Sequence, residues 1–89
     1  MSETRVAIVG VVVSDTDSVE SLNRILHEFS QHIIGRMGIP YGARKINLIS
    51  VALDAPLEVI ADLSDRIGKL PGVSSQTAYS NVVTVIEQD

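Results

Sequence analysis

An arginine between glycines is the residue of this sequence best suited to bind a charged ligand. Arg36 follows Gly35 and precedes Met37 and Gly38 in an apolar stretch typical of a strand. A guanidinium can hold a carboxylate or phosphate through two parallel hydrogen bonds, and glycines permit close backbone approach. The pattern predicts a ligand clamp at a subunit boundary, with Met37 and Tyr41 lining the pocket. The alternatives are a plain edge-strand arginine and an arginine that pairs with Asp or Glu across an interface.

The two histidines, His27 and His32, are the weak candidates for a metal site. They are five residues apart, so they do not share a helix face at the usual spacing of three or four. We expect one histidine on a helix surface and one near a helix C-terminus, where the helix dipole favours a cation. A metal shared between subunits, with Asp or Glu as further ligands, is the alternative. No metal site is therefore predicted within one chain.

Groups that commonly perform catalysis are isolated in this chain. It contains no cysteine, which excludes thiolate nucleophiles, disulfides and iron–sulfur ligation. We interpret Asp15, Asp17 and Asp54 as helix caps, since nothing predicts a cleft around them. The nearby hydroxyls have no histidine at motif spacing, and the glycine pair at 35 and 38 is too short for a phosphate loop. The sequence predicts no catalytic residue and no cofactor.

The elements that position these residues alternate in a regular order. Apolar, β-branched runs predict strands over 5–13, 33–41, 46–53 and 73–80, and apolar stripes predict helices within 19–33 and 57–67. The order strand, helix, strand, strand, helix, strand predicts an α+β fold, the ferredoxin-like βαββαβ plait. Both helices then cover one face of a four-stranded antiparallel sheet. We expect a single domain over 1–89, with a core of about 4–80 and an extended tail, 81–89.

The central strands are apolar on both faces, although the helices cover only one. Either alternating set of residues in the first strand is apolar, and the third strand is similar. We expect a second subunit or the tail to bury the uncovered face, because a monomer would leave a large apolar patch. Burial of four such side chains contributes roughly 6–12 kcal/mol before association costs. Lysine at Val9 or Val11, whichever points away from the helices, should then dissociate the oligomer.

The charge balance and the termini narrow the class of protein further. A net charge of −4, without a helix-turn-helix pattern or a basic arm, argues against direct nucleic-acid binding. The first residues include an acid and lack the basic segment of a signal peptide. The apolar run at 6–13 is too short to span a bilayer. We therefore expect a cytoplasmic protein that contacts neither nucleic acid nor membrane.

Short motifs along residues 4–80 carry a family resemblance. They are Arg5-Val6-Ala7 with Gly10, Leu22-Asn23, Ile25-Leu26-His27-Glu28, Asn47 with Ile49-Ser50, Leu53-Asp54-Ala55-Pro56, Leu70-Pro71-Gly72-Val73-Ser74 and, most specific, Gly35-Arg36-Met37-Gly38-Ile39-Pro40-Tyr41. With them the chain resembles small proteins described as regulators of the iron-only hydrogenase system. These are ACT-like domains, related in fold to the C-terminal domain of the nickel-responsive regulator. The resemblance implies a regulatory role linked to hydrogenase or anaerobic metabolism, with no established catalytic residue.

Two departures limit what the resemblance implies about ligands. Amino-acid-binding ACT domains usually have a glycine after the first strand, whereas this turn is Ser14-Asp15-Thr16-Asp17. An acidic turn repels a carboxylate by about 1 kcal/mol or more for each close pair. The nickel site uses several histidines and a cysteine, and this chain has two histidines and no cysteine. We therefore expect neither of these two ligand sites.

Together these observations predict a homodimer or homotetramer that acts as a regulatory or ligand-sensing module rather than as an enzyme. It would bind a small molecule between subunits or dock a partner protein. A ligand-free interaction protein is the second hypothesis, and a small dimeric ferredoxin-like enzyme, which needs a deep cavity between sheet and helices, is the third. Residues 82–86 of the tail are candidates for pairing with a neighbour's sheet edge.

Overall fold

The computed structural model describes residues 2–86, which form four strands and two helices in the predicted order. The elements are β1 (Ser2–Val13), α1 (Val19–Glu28), β2 (Ile33–Tyr41), β3 (Ile46–Ala55), α2 (Leu57–Gly68) and β4 (Val73–Ile86). Short 3-10 turns lie on either side of α1, and a third joins β2 to β3. Neither helix within 2–86 combines the length and apolar composition needed to cross a membrane.

The four strands form one antiparallel sheet in the order β2-β3-β1-β4. This order confirms the ferredoxin-like plait, since two crossovers of the same hand place the first and third strands at the centre. β2 is an edge strand, as the proline at position 40 indicated, because proline cannot donate to a sheet ladder. β1 and β3, the two strands that are apolar on both faces, are both central.

The two helices cover one face of the sheet and enclose the core. Their buried residues recur at intervals of three or four, which forms a single apolar stripe on each helix. The buried apolar residues are Ala7, Val9, Val11, Val13, Leu22, Ile25, Leu26, Phe29, Val51, Leu53, Ala55, Ile60, Leu63 and Ile67. Val9 and Val11 both belong to this core, so the expectation that one of them points away from the helices was wrong. Residues two apart on a strand share a face.

The other face of the sheet is exposed, and three rows of its residues cross all four strands. We call this surface the open face. Its rows are Gly35, Ala52, Ile8, Ala78; then Met37, Ser50, Gly10, Gln76; then Ile39, Leu48, Val12, Ser74. Ile8 is 48% exposed and Met37 is 61% exposed. The structure thus confirms an uncovered apolar face, and residues 81–86 do not cover it.

The part of the tail that the structure describes continues β4. Residues 83–86 pair with residues 2–5 of β1 beyond an irregularity in which three residues of β4, 80–82, lie opposite one residue of β1, Val6. Ser80 stabilises this irregularity, because its Oγ donates to Val6 O (2.6 Å) and accepts from Val82 N (3.0 Å). The segment is extended as expected, but it pairs with its own chain. The last tail residues, 87–89, lie outside the described residues.

Only one of the three predicted aspartate caps is present. Asp15 Oδ1 accepts a hydrogen bond from Asp17 N at 2.9 Å, which caps the turn before α1. The capping role was wrong for Asp17 and for Asp54. Asp54 is a residue of β3, and Pro56 occupies the N-cap of α2 without a side-chain bond. Proline suits this end of a helix because the first amides have no partner within the helix.

Candidate ligand-binding site

A bulge at the start of β2 decides which way Arg36 points. Ile33 pairs with Leu53 of β3, whereas Gly35 pairs with Ala52, so Ile34 is one extra residue on β2. An inserted residue reverses the alternation of every side chain that follows. Ile33 and Arg36 therefore both face the helix side of the sheet, and Arg36 lies opposite the core residue Val51.

Because it faces the helix side, Arg36 forms one wall of a groove between β2 and α1. The groove has a volume of about 300 Å³ and is lined by Asn23, Leu26, His27, Ser30, Ile33 and Arg36. On α1 the spacing of three and four places the first three of these on one helix face. Leu26 and Ile33 form the apolar floor, while an amide, an imidazole, a hydroxyl and a guanidinium form the polar rim.

The guanidinium of Arg36 is held over the groove by one hydrogen bond. Its Nη2 donates to Asn23 Oδ1 at 3.2 Å. A guanidinium has five N–H donors, so this bond leaves capacity for a bidentate contact with a ligand. Among residues 2–86 the ion pairs are Glu20–Arg24, Glu28–Arg66 and Asp65–Lys69, and Arg36 belongs to none of them.

The electrostatics of the groove favour an anion. No acidic side chain lines it, although the chain as a whole carries a net charge of −4. Both glutamates of α1 are paired with arginines outside the groove. The C-terminal end of α1, near Ser30, opposes an anion by about 0.3–1 kcal/mol. A hydrogen bond to a charged group contributes about 1.5–3 kcal/mol, so Arg36 outweighs the helix dipole.

The other residues of the predicted ligand segment lie on different surfaces. Met37 and Tyr41 face the open side of the sheet, opposite Ser50 and Ile46, and Gly35 also lies on that side. Gly38 faces the helix side and lines a separate concavity of about 280 Å³ with Val19, Ile39, Pro40, Asn47 and Ile49. The structure therefore does not bring Met37 and Tyr41 to Arg36, because neighbouring residues of a strand point to opposite faces.

The two histidines occupy different positions. His27 lies in the groove with Arg36, whereas His32 ends the 3-10 turn that follows α1 and approaches Gln31 Nε2 at 3.3 Å through its Nε2. In the described part of the chain, no three His, Asp or Glu side chains come together as a metal site would require. His27 and Arg36 thus line the same groove, and His32 does not.

Two residues of the groove, Asn23 and Ser30, were missed from the sequence. A signal was present, since Asn23, His27 and Ser30 follow one another at intervals of four and three beside the apolar stripe of α1. Such a polar stripe resembles an ordinary solvated helix face. Only the position of Arg36 on the neighbouring strand marks it as one side of a groove.

Comparisons with known proteins agree with the fold. The model of the family named "TM1266-like: Iron-only hydrogenase system regulator, putative" matches residues 5–77. The chain is also similar to a solved structure, that of the uncharacterized protein TM1266 from Thermotoga maritima, at 28% sequence identity and a TM-score of 0.82. The match covers 85% of this chain and 96% of the other. No curated protein matches the chain.

Proposed function

This chain belongs to the TM1266-like family, and from that premise we propose that it is a cytoplasmic regulatory module of the iron-only hydrogenase system that senses a small anion. The family description supports the regulatory role, and the groove between α1 and β2 supports the sensing. The module acts as a homo-oligomer, a dimer or a tetramer. The single observation that carries the proposal is the convergence of Arg36, His27, Asn23 and Ser30 on a groove without an acidic side chain.

The ligand class follows from the donors in the groove. Arg36 offers a planar pair of N–H groups, which matches a carboxylate or a phosphate. His27 and Ser30 add donors on the α1 side, and Leu26 and Ile33 offer an apolar surface. A volume of about 300 Å³ suits a metabolite of a few carbon atoms with one or two acidic groups. Its binding would join β2 to α1 and so alter the surface on which a partner protein docks.

Titration with inorganic phosphate and with succinate tests the groove. We expect Arg36→Gln to raise the dissociation constant about 10- to 100-fold, because a charge-assisted hydrogen bond contributes roughly 1.5–3 kcal/mol. Arg44→Gln is the matched control, since Arg44 is exposed on the turn after β2 and its loss changes the net charge equally. Isothermal titration calorimetry measures both variants and the wild type.

Equal dissociation constants for the two variants would show that the anion does not use the groove. Loss of the oligomer in Arg36→Gln, without a change in anion affinity, would instead support the alternative of an arginine that pairs with an acid across an interface. Native mass spectrometry of protein purified without additives gives the ligand directly, as a fixed extra mass that Arg36→Gln removes.

A ligand-free interaction module is the second candidate function, and the exposed apolar open face favours it. A wild-type protein that binds neither anion but still oligomerises would support this candidate. The third hypothesis, a small ferredoxin-like enzyme, needs a deep cavity between sheet and helices. In the described residues that space is occupied by the apolar core.

A further inference from the structure

The open face is large enough to form a stable contact. Four strands about 4.8 Å apart, with three rows and their neighbours along each strand, cover about 19 Å by 25 Å, or about 500 Å² in plan. The largest apolar patch on a typical monomer is roughly 300–600 Å², and a stable interface buries about 800 Å² per partner. Because side chains make the accessible surface larger than its plan, the open face approaches that requirement.

The side chains of the open face lack charge and differ in size from one edge to the other. None of the twelve residues in the three rows is charged, although Asp54, which pairs with Val6 in the adjoining row, lies on the same side of the sheet. The β2 edge carries the bulky residues Met37 and Ile39, which are at least half exposed. The β4 edge carries Ser74, Gln76 and Ala78, and a depression of about 350 Å³ lies over Gly10, Ser50 and their neighbours. Met37 and Ile39 line this depression on one side, and Ser74 and Gln76 line it on the other. The β2 edge is therefore bulkier than the β4 edge, which we call the low edge.

This asymmetry fits a second copy of the same chain. We propose that two copies pack open face against open face about a two-fold axis parallel to the strands, so that β2 of one copy lies over β4 of the other. The bulky β2 edge of each copy then meets the low β4 edge of the other copy. The same contact forms twice, as a closed two-fold interface requires. The inference rests on the homo-oligomer of the proposed function, names its contact, and is tested separately from anion binding.

The alternative two-fold axis, across the strands, produces a worse fit. It would place β2 over β2 and reverse the order of the rows. With the axis at the middle row, the long side chain of Met37 meets its own copy, Ile39 meets Gly35, and Gln76 of β4 meets its own copy. Apolar interfaces are stable when they pack without voids or overlap. With the axis along the strands, β3 of one copy lies over β1 of the other, so that Ser50 lies over Gly10, Ala52 over Ile8 and Leu48 over Val12. Two of these three pairs combine a small residue with a small or a larger one.

Gly10 supports a partner on this face. Its backbone φ is not positive, and a Cβ atom there would meet only Gln76 O at 3.8 Å, an ordinary contact. The fold of the single chain therefore does not require glycine at the centre of β1, where glycine weakens a strand. A second sheet packed on this face would bring its own side chains against the centre of β1, and glycine leaves room for them.

Sedimentation velocity tests the surface. We expect a wild-type oligomer that Ile8→Lys reduces to monomers, or from tetramers to dimers, with circular dichroism confirming the fold. Leu57→Lys is the matched control, because Leu57 is 46% exposed at the start of α2, away from the open face, and Ile8 is 48% exposed. The oligomer should survive in the control. A monomeric wild type, or equal behaviour of the two lysine variants, overturns the proposal.

The anion titration separates this inference from the proposed function. If Ile8→Lys is monomeric and still binds phosphate, the contact is supported independently of the groove. If the wild type is monomeric yet binds phosphate, the inference fails while the sensing function stands.

Chemical crosslinking tests the direction of the axis. The chain has no cysteine, so Met37→Cys and Gln76→Cys introduce defined thiols. Met37 and Gln76 lie in one row, three strand spacings or about 14 Å apart within a chain, and should face each other between chains. With a short bis-maleimide, the double variant should form covalent dimers, and each single variant should form few. Efficient crosslinking of Met37→Cys alone would overturn the axis along the strands.

Discussion

The two faces of the sheet are built from equally apolar strands but lie in different environments. On β1, Val9 and Val11 are buried beneath the helices, whereas Ile8 and Val12, on the same strand, are exposed. Hydrophobicity alone therefore does not determine which face forms the core. The helix-covered face carries the stability of the single chain, and the open face retains an apolar surface that one chain does not use.

The two sides of the sheet also differ in where charged side chains lie. The groove with Arg36 lies on the helix side of the sheet edge, where α1 supplies polar partners. The open face has no charged side chain in its three rows. The proposed ligand sensing and the proposed self-association would thus use opposite sides of one sheet, and separate variants can test them.

The largest difference in the free energy of unfolding is expected between Val9→Lys and Ile8→Lys. A lysine at Val9 would place an unpaired ammonium in the core, which costs about 4 kcal/mol or more. Since small domains are stable by only about 5–15 kcal/mol, this variant should lose a large part of its free energy of unfolding. Ile8→Lys should change the stability of the folded monomer by less than about 1 kcal/mol. Urea denaturation followed by circular dichroism measures both, and similar losses would contradict the distinction between the faces.

Alanine at Gly72 and alanine at Gly10 should change the free energy of unfolding in opposite directions. Gly72 has φ +68°, and a Cβ atom there would lie 2.5 Å from Asp15 Cβ, so Gly72→Ala should cost about 1–3 kcal/mol. Gly10→Ala should stabilise the monomer by about 0.5–1 kcal/mol, because strand glycines are entropically costly. Measuring both in the Ile8→Lys background removes the contribution of self-association. A destabilised Gly10→Ala monomer would show that the single chain does need this glycine.

The smallest effect is expected from two serines. Ser18 is 4% exposed and its Oγ donates to Pro71 O at 2.6 Å, so Ser18→Ala should cost about 1 kcal/mol. Ser50 lies on the open face, and Ser50→Ala should change the free energy of unfolding by less than about 0.5 kcal/mol. Thermal unfolding of the two variants, again in the Ile8→Lys background, checks the order. A larger loss at Ser50 would mean that its hydroxyl supports the sheet.

Most of the fold was predictable from the sequence, and the candidate site was predictable only in part. The β-branched runs and the stripes of α1 and α2 gave the correct element order, because local pattern determines the type of each element. Arg36 and His27 were identified as chemical candidates. Their proximity, and the participation of Asn23 and Ser30, were not predictable, because contacts between α1 and β2 depend on how the strand is rotated.

The sequence by itself determined the element order, the single antiparallel sheet, the absence of cysteine chemistry and the surplus of apolar residues on the central strands. The tertiary structure decided which residues of β1 face the helices, since both alternating sets are apolar and the pattern is ambiguous. It also decided the orientation of Arg36, because one extra residue at Ile34 reverses the side-chain alternation. It also decided that residues 83–86 extend β4, because they pair with residues 2–5 of β1, which are distant in sequence.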